Sequence, residues 1–140
     1  MDYGLIGEKL GHSYSKDIHE MLADYTYDLC PLSKEEFKGE VHAFAAGFST
    51  EDMQELLALC DHITFNSIHQ WKKFRPMIME YNENHEKKVY CGLRINPEHS
   101  EGAVPIYDPC DKSSRLGIRL KDFAKENLDD LFQGLTGLHF

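Results

Sequence analysis

Short apolar runs alternate along this chain with segments whose apolar residues recur every three or four positions. Tyr3 to Gly7 reads as a first strand, and Ile18, Met21, Leu22 and Tyr25 fall at i, i+3, i+4 and i+7, the buried face of a following helix. Tyr27 to Pro31 reads as a second strand and Val41 to Ala45 as a third. Ser49-Thr50-Glu51-Asp52 offers a hydroxyl cap followed by acids, the start of a helix that buries Met53, Leu56, Leu57 and Cys60. His62 to Phe65 is a fourth strand. Ser67 with Gln70 three residues later has the spacing of a capping box, and Trp71, Phe74, Ile78 and Tyr81 form the apolar stripe of a helix that Pro76 is expected to kink or interrupt.

Lys88 to Ile95 is the clearest strand: Val89, Cys91, Leu93 and Ile95 share one face, and Tyr90, Gly92 and Arg94 share the other. From Asn96 to Gly117 no period is sustained and Pro97, Pro105 and Pro109 intervene, the pattern of a long irregular segment. Leu120 to Leu131 reads as a last helix, and Gly137-Leu138-His139-Phe140 as a strand that stops before it is finished. Strands alternating with helices predict an α/β fold around a mostly parallel sheet.

Composition narrows the function. In 140 residues, 41% are hydrophobic and 28% charged, enough apolar material for a core and too much for whole-chain disorder. The 15 Lys and Arg against 24 Asp and Glu leave a net charge of −9, which repels nucleic-acid phosphates and anionic lipid surfaces. No apolar run is long enough to span a bilayer, and Met1-Asp2-Tyr3 lacks a secretory start, so a cytoplasmic protein is expected. Cys30, Cys60, Cys91 and Cys110 form no C-x-x-C pair, and reduced thiols are the expectation.

The first 37 residues carry Tyr3-Gly4-Leu5-Ile6-Gly7, Leu10-Gly11-His12-Ser13-Tyr14-Ser15, His19, Tyr27-Asp28-Leu29 and Pro31-Leu32. Together they resemble the amino terminus of shikimate dehydrogenase, and imply a βαβ leader. In that family two hydroxyls of an S-x-S motif hold the shikimate carboxylate; the matching residues are Ser13 and Ser15. A carboxylate at a helix N-terminus meets unpaired N–H groups and the positive end of the dipole, although serine there also serves as an ordinary cap. Lys16 and Glu20 depart from the commoner family pattern. The family's catalytic lysine motif is not reproduced at Phe65-Asn66-Ser67-Ile68-His69-Gln70-Trp71-Lys72, which lacks its threonine and proline, and the glycine-rich loop for NADP is absent.

From about residue 35 onward a second pattern takes over. Gly39-Glu40-Val41-His42, Cys60-Asp61-His62-Ile63, Phe65-Asn66-Ser67 and Gln70-Trp71 form one block; Cys91-Gly92-Leu93-Arg94-Ile95-Asn96-Pro97-Glu98-His99-Ser100-Glu101, Tyr107-Asp108-Pro109-Cys110, Ser114-Arg115-Leu116-Gly117 and Gly137-Leu138-His139-Phe140 form another. Their order and content resemble carboxynorspermidine decarboxylase. That resemblance implies a lyase of polyamine biosynthesis that uses pyridoxal phosphate on an alanine-racemase-type TIM barrel. The fold expected is therefore an incomplete set of β/α units from such a barrel with a βαβ leader. The segments expected are 1–37, dehydrogenase-like, and 38–140, decarboxylase-like, joined near Glu35-Glu36-Phe37 as in a chimera.

The resemblance further implies that the cofactor lysine precedes the matched region and that later site residues follow it, so the chain is expected to be truncated and inactive alone. Lys9, Lys16 and Lys34 do not stand in the cofactor-lysine motif. Arg94, near the C-terminal end of its strand, is the residue placed close to the cofactor; a solvated strand-end arginine is the plainer reading. Cys110 has no evident base, and His99, Glu101 and His139 match no metal-site spacing, so no catalytic and no metal residue is assigned. The remaining alternatives are an NADP oxidoreductase remnant binding shikimate, and a noncatalytic α/β domain. An open arc of strands also exposes edges that invite self-association.

Overall fold

The computed structural model describes residues 3–7, 13–22, 24–31, 33, 36, 38–99 and 108–140. It contains two compact units, Met1–Gly39 and Glu40–Phe140.

In the first unit, β1 (Tyr3–Gly7) pairs in parallel with β2 (Tyr27–Pro31), Tyr3 opposite Tyr27, across α1 (Ser15–Leu22). The apolar stripe expected to bury this helix lies outward: Ile18, Met21 and Leu22 are exposed, and Tyr25 stands beyond the helix end. Two strands offer too little apolar surface to cover a helical face. The sheet side of α1 instead presents His19, whose ring stacks on Tyr27 at 4.1 Å and whose Nδ1 meets the Tyr25 hydroxyl. Of the predicted junction, Glu36 is described and Glu35 and Phe37 lie outside the described residues; the Glu36 carboxylate accepts the backbone N–H and the hydroxyl of Ser33 at 3.0 and 2.8 Å.

The second unit is a four-stranded, wholly parallel sheet in the order β3 (His42–Ala45), β4 (His62–Phe65), β5 (Tyr90–Arg94) and β6 (Gly137–His139). Sequence order equals spatial order, as in successive β/α units of a barrel wall. Helices α2 (Thr50–Leu59) and α3 (Ile68–Asn84) link β3 to β4 and β4 to β5. Ser49 and Asp52 form a reciprocal capping box at the start of α2. At α3 only half of the predicted box forms: Ser67 Oγ accepts the Gln70 N–H at 3.3 Å, while Gln70 Oε1 is buried without a partner.

Trp71, Phe74 and Ile78 of α3 and Met53 and Leu57 of α2 pack with Ile63, Phe65, Cys91 and Leu93, all nearly inaccessible to solvent. That packing carries α3 unbroken through Pro76, contrary to the interruption expected there; proline removes one helical hydrogen bond, and the buried stripe on both sides holds the helix together. The single helix predicted over Leu120 to Leu131 is two short ones, α4 (Leu120–Phe123) and α5 (Leu128–Leu131), because Asn127 turns its side chain onto the Asp129 N–H and starts a new helix. In the irregular segment, residues 100–107 lie outside the described residues, and Asp108 to Gly117 runs in turns.

Trp71 joins these parts, its indole N–H donating to the Leu131 carbonyl at 2.8 Å in the interior. Trp71→Phe strands that buried carbonyl and is expected to cost about 1–3 kcal/mol, measured by urea unfolding followed by circular dichroism. Trp71→Ala, which also opens a cavity, is expected to cost about 3–5 kcal/mol.

Candidate functional site

With one face of the sheet covered by α2 and α3, strand alternation sends a chemically different set of side chains to the other face, where they line a concavity of about 560 Å³. They form successive layers. At the N-terminal ends of the strands His42, His62 and Tyr90 are in register, His42 stacking on His62 at 4.3 Å and His62 on Tyr90 at 5.4 Å. In the middle stand Phe44, Thr64, Gly92 and Gly137. A Cβ on Gly92 would sit 3.1 Å from the Gly137 carbonyl oxygen, a tight contact that glycine avoids. At the C-terminal ends Arg94 and His139 are paired, and both turn onto Phe44, the guanidinium 4.9 Å above the ring and the imidazole edge-on at 5.4 Å.

Arg94 thus lies on the face predicted for it, at the strand end where barrel enzymes assemble their sites. A second concavity, of about 470 Å³, lies beyond the end of β4 and is bordered by Asn66, His69, Lys72 and Arg115. Buried Asn66 organises it, donating to the Arg115 carbonyl at 3.0 Å and accepting the Gly117 N–H at 2.8 Å. Asn96 does the same one strand over, donating to the Asp111 carbonyl at 3.2 Å and accepting the Glu98 N–H at 2.8 Å. Gly117 has φ +82° and a Cβ there would lie 2.7 Å from the Asn96 nitrogen, so the close approach of this loop admits only glycine. Lys72, the lysine of the incomplete dehydrogenase motif, is on α3 and pairs with Glu126.

Ser13 and Ser15 stand at the entry to α1, where Ser13 Oγ accepts the Ser15 N–H at 3.3 Å. Lys16 beside them pairs with Asp28 at 3.1 Å and Glu20 at 3.6 Å, and the hydrogen bond to Asp28 leads the interactions that raise its pKa. Leu10, Gly11 and His12 of the same motif, and Glu101, lie outside the described residues. The Cys110 N–H is held by Asp108 at 2.8 Å. Burial pushes the Cys91 thiol up to about 12, which makes it inert at neutral pH.

The residues missed by sequence reasoning are the cross-strand ones. Glu40 lies 3.5 Å from His42 Nε2 and 3.8 Å from His62 Nε2. The period-two spacing of Glu40 and His42 hinted at a shared face, but His62 is brought in only by strand register.

No protein-family model matches the chain. It is 38% identical over 106 residues to the carboxyaminopropylagmatine decarboxylase of Synechocystis sp., covering 76% of this chain and 25% of the relative. It is 38% identical over 109 residues to the carboxynorspermidine/carboxyspermidine decarboxylase of Campylobacter jejuni, covering 78% and 25% respectively. The crystal structure of carboxynorspermidine decarboxylase from C. jejuni, complexed with norspermidine, matches 76% of this chain and 23% of its own at a TM-score of 0.55 and 33% identity. About three-quarters of this chain is therefore homologous to part of these decarboxylases, and the chain spans about a quarter of the length of the curated relatives it matches.

Asp61 holds the start of this face together, and its pKa is lowered first by the Val41 N–H and then by Lys87. A carboxylate depressed in the folded state contributes stability above its ordinary range and loses it as pH falls through the folded value. Melting temperature is accordingly expected to fall on acidification below about pH 4, and the difference between neutral and acid melting temperatures is expected to shrink in Asp61→Ala.

Proposed function

We propose that the Glu40–Phe140 unit serves as a run of consecutive β/α units in the wall of a pyridoxal phosphate-dependent decarboxylase acting on carboxylated polyamines of the norspermidine or spermidine type, and that these 140 residues alone do not decarboxylate. The observation that carries the reading is the 38% identity to two such decarboxylases, joined to a structural match at 33% identity.

Pyridoxal phosphate supplies the electron sink for the bond broken in decarboxylation. The residues present fit part of what that group needs. Arg94 offers a guanidinium able to donate to a phosphate or a ring substituent, held in place by the Phe44 face, and His139 offers an imidazole beside it. The covalent anchor is a different matter: none of the residues of β3, β4, β5 and β6 is a lysine. In this reading Arg94 orients the cofactor and the amine that holds it comes from outside these four strands; the assigned lack of turnover rests on the chain's matching only about a quarter of each relative's length.

Two experiments test this. Incubation of the chain with pyridoxal phosphate, borohydride reduction and mass spectrometry are expected to give no single specific lysine adduct and no consumption of carboxynorspermidine; a specific adduct with turnover refutes the assigned inactivity. Exchange of the Glu40–Phe140 block into the matching part of the C. jejuni decarboxylase is expected to preserve cofactor binding. In that exchange protein Arg94→Ala is expected to weaken cofactor binding about tenfold, the effect of one charge-assisted hydrogen bond. Unchanged affinity removes Arg94 from the cofactor site.

The Met1–Gly39 unit carries a separate reading. Its parallel βαβ arrangement, with Ser13 and Ser15 at the entry to the helix, supports a shikimate dehydrogenase-like carboxylate site, with NADP chemistry lost. Shikimate-dependent chemical-shift changes at α1 that vanish in the Ser13→Ala, Ser15→Ala double variant are the expected result, and their absence in the unaltered chain refutes it.

A further inference from the structure

At the N-terminal ends of the strands, opposite the end that carries Arg94 and His139, two imidazoles and a carboxylate converge from three points of the chain. Glu40 stands two residues before His42, the first residue of β3, and His62 is the direct cross-strand partner of His42. One oxygen of Glu40 lies 3.5 Å from His42 Nε2 and 3.8 Å from His62 Nε2, and the three ligand atoms all lie within 4.8 Å of one another. We propose that Glu40, His42 and His62 form a binding site for a divalent transition cation of the zinc class.

Donor chemistry and support both point this way. Two neutral imidazole nitrogens and one carboxylate oxygen are a borderline donor set suited to Zn²⁺, Co²⁺ or Ni²⁺, with water completing the shell. Donors about 2.0–2.2 Å from a common ion are themselves separated by a little over 3 Å, and because an ion lies in the plane of each imidazole it binds, the His42 and His62 rings, stacked at 4.3 Å with 13° between their planes, turn out of that stack to share one. The backbone holding them is tied down independently. Val41, between Glu40 and His42, donates its N–H to the Asp61 carboxylate at 2.8 Å and accepts N–H bonds from Asp61 and His62 at 2.8 and 3.1 Å.

Neighbouring Asp61 does not compete, since its carboxylate is engaged by the Val41 N–H and by Lys87 at 3.2 Å. The chain's net charge of −9 favours approach of a cation. The site is independent of the decarboxylase reading, standing at the other end of the strands and using none of its residues.

Titration of the 140-residue chain with Co²⁺ and Zn²⁺ tests the assignment. One equivalent of Co²⁺ is expected to bind with a visible d–d spectrum and without a thiolate charge-transfer band, which separates this site from the cysteines. Zn²⁺ is expected to displace it and to shift the Hε1 resonances of His42 and His62 selectively in the unaltered protein. His62→Gln and Glu40→Gln are expected to weaken binding at least about tenfold while His85→Gln leaves it unchanged. Absence of stoichiometric binding, a thiolate band, or resonance shifts confined to other histidines overturns the proposal; the resonance measurement needs no variant to fold.

Discussion

Asp61 ties the starts of three parallel strands to one another. Its carboxylate takes the Val41 N–H, its own N–H donates to the Val41 carbonyl, and its carbonyl accepts the Tyr90 N–H at 2.9 Å. Once these bonds are made, His42 lies opposite His62 and His62 opposite Tyr90, and each later layer of the sheet follows two residues at a time. A slip of one residue would send His62 and Thr64 toward the helices and Ile63 and Phe65 toward the open face. The burial of Ile63, Phe65, Cys91 and Leu93 under α2 and α3 forbids that slip, because each is nearly inaccessible in the register observed.

The sheet consequently has two faces with different work. The helix-covered face is the source of stability and carries the aromatic packing of Phe65 with Trp71 and Phe74 at ring separations of 5.7 and 6.2 Å. The opposite face, which in a barrel looks inward, carries chemistry in layers: the imidazole and carboxylate cluster at one end, and the guanidinium and imidazole of Arg94 and His139 at the other. Asn66, Asn96 and Gly117 then hold the loop over the Arg94 end, each by bonds or contacts that another residue type would break.

Much of this was readable along the chain. The period-two pattern of β5 separated Arg94 from Cys91 and Leu93, and the helical stripes of α2 and α3 were named almost residue for residue. Three of the local expectations that failed did so for identifiable reasons. Pro76 did not interrupt α3, because a buried stripe on both sides outweighs one lost hydrogen bond; the last helix divided at Asn127, whose side chain captures a backbone N–H; and the apolar stripe of α1 faced outward, because two strands cannot cover it.

What the sequence determined by itself is whatever depends on neighbours a few residues apart: the alternation of strands and helices, the α2 cap, and the polar and apolar faces of each strand. Which residues of different strands meet depends on the assembled sheet. Glu40, His42 and His62 are separated by 22 positions from first to last, and nothing in their spacing distinguishes them from solvated polar residues. Strand register makes them neighbours, because parallel pairing joins positions that a whole crossover helix separates along the chain.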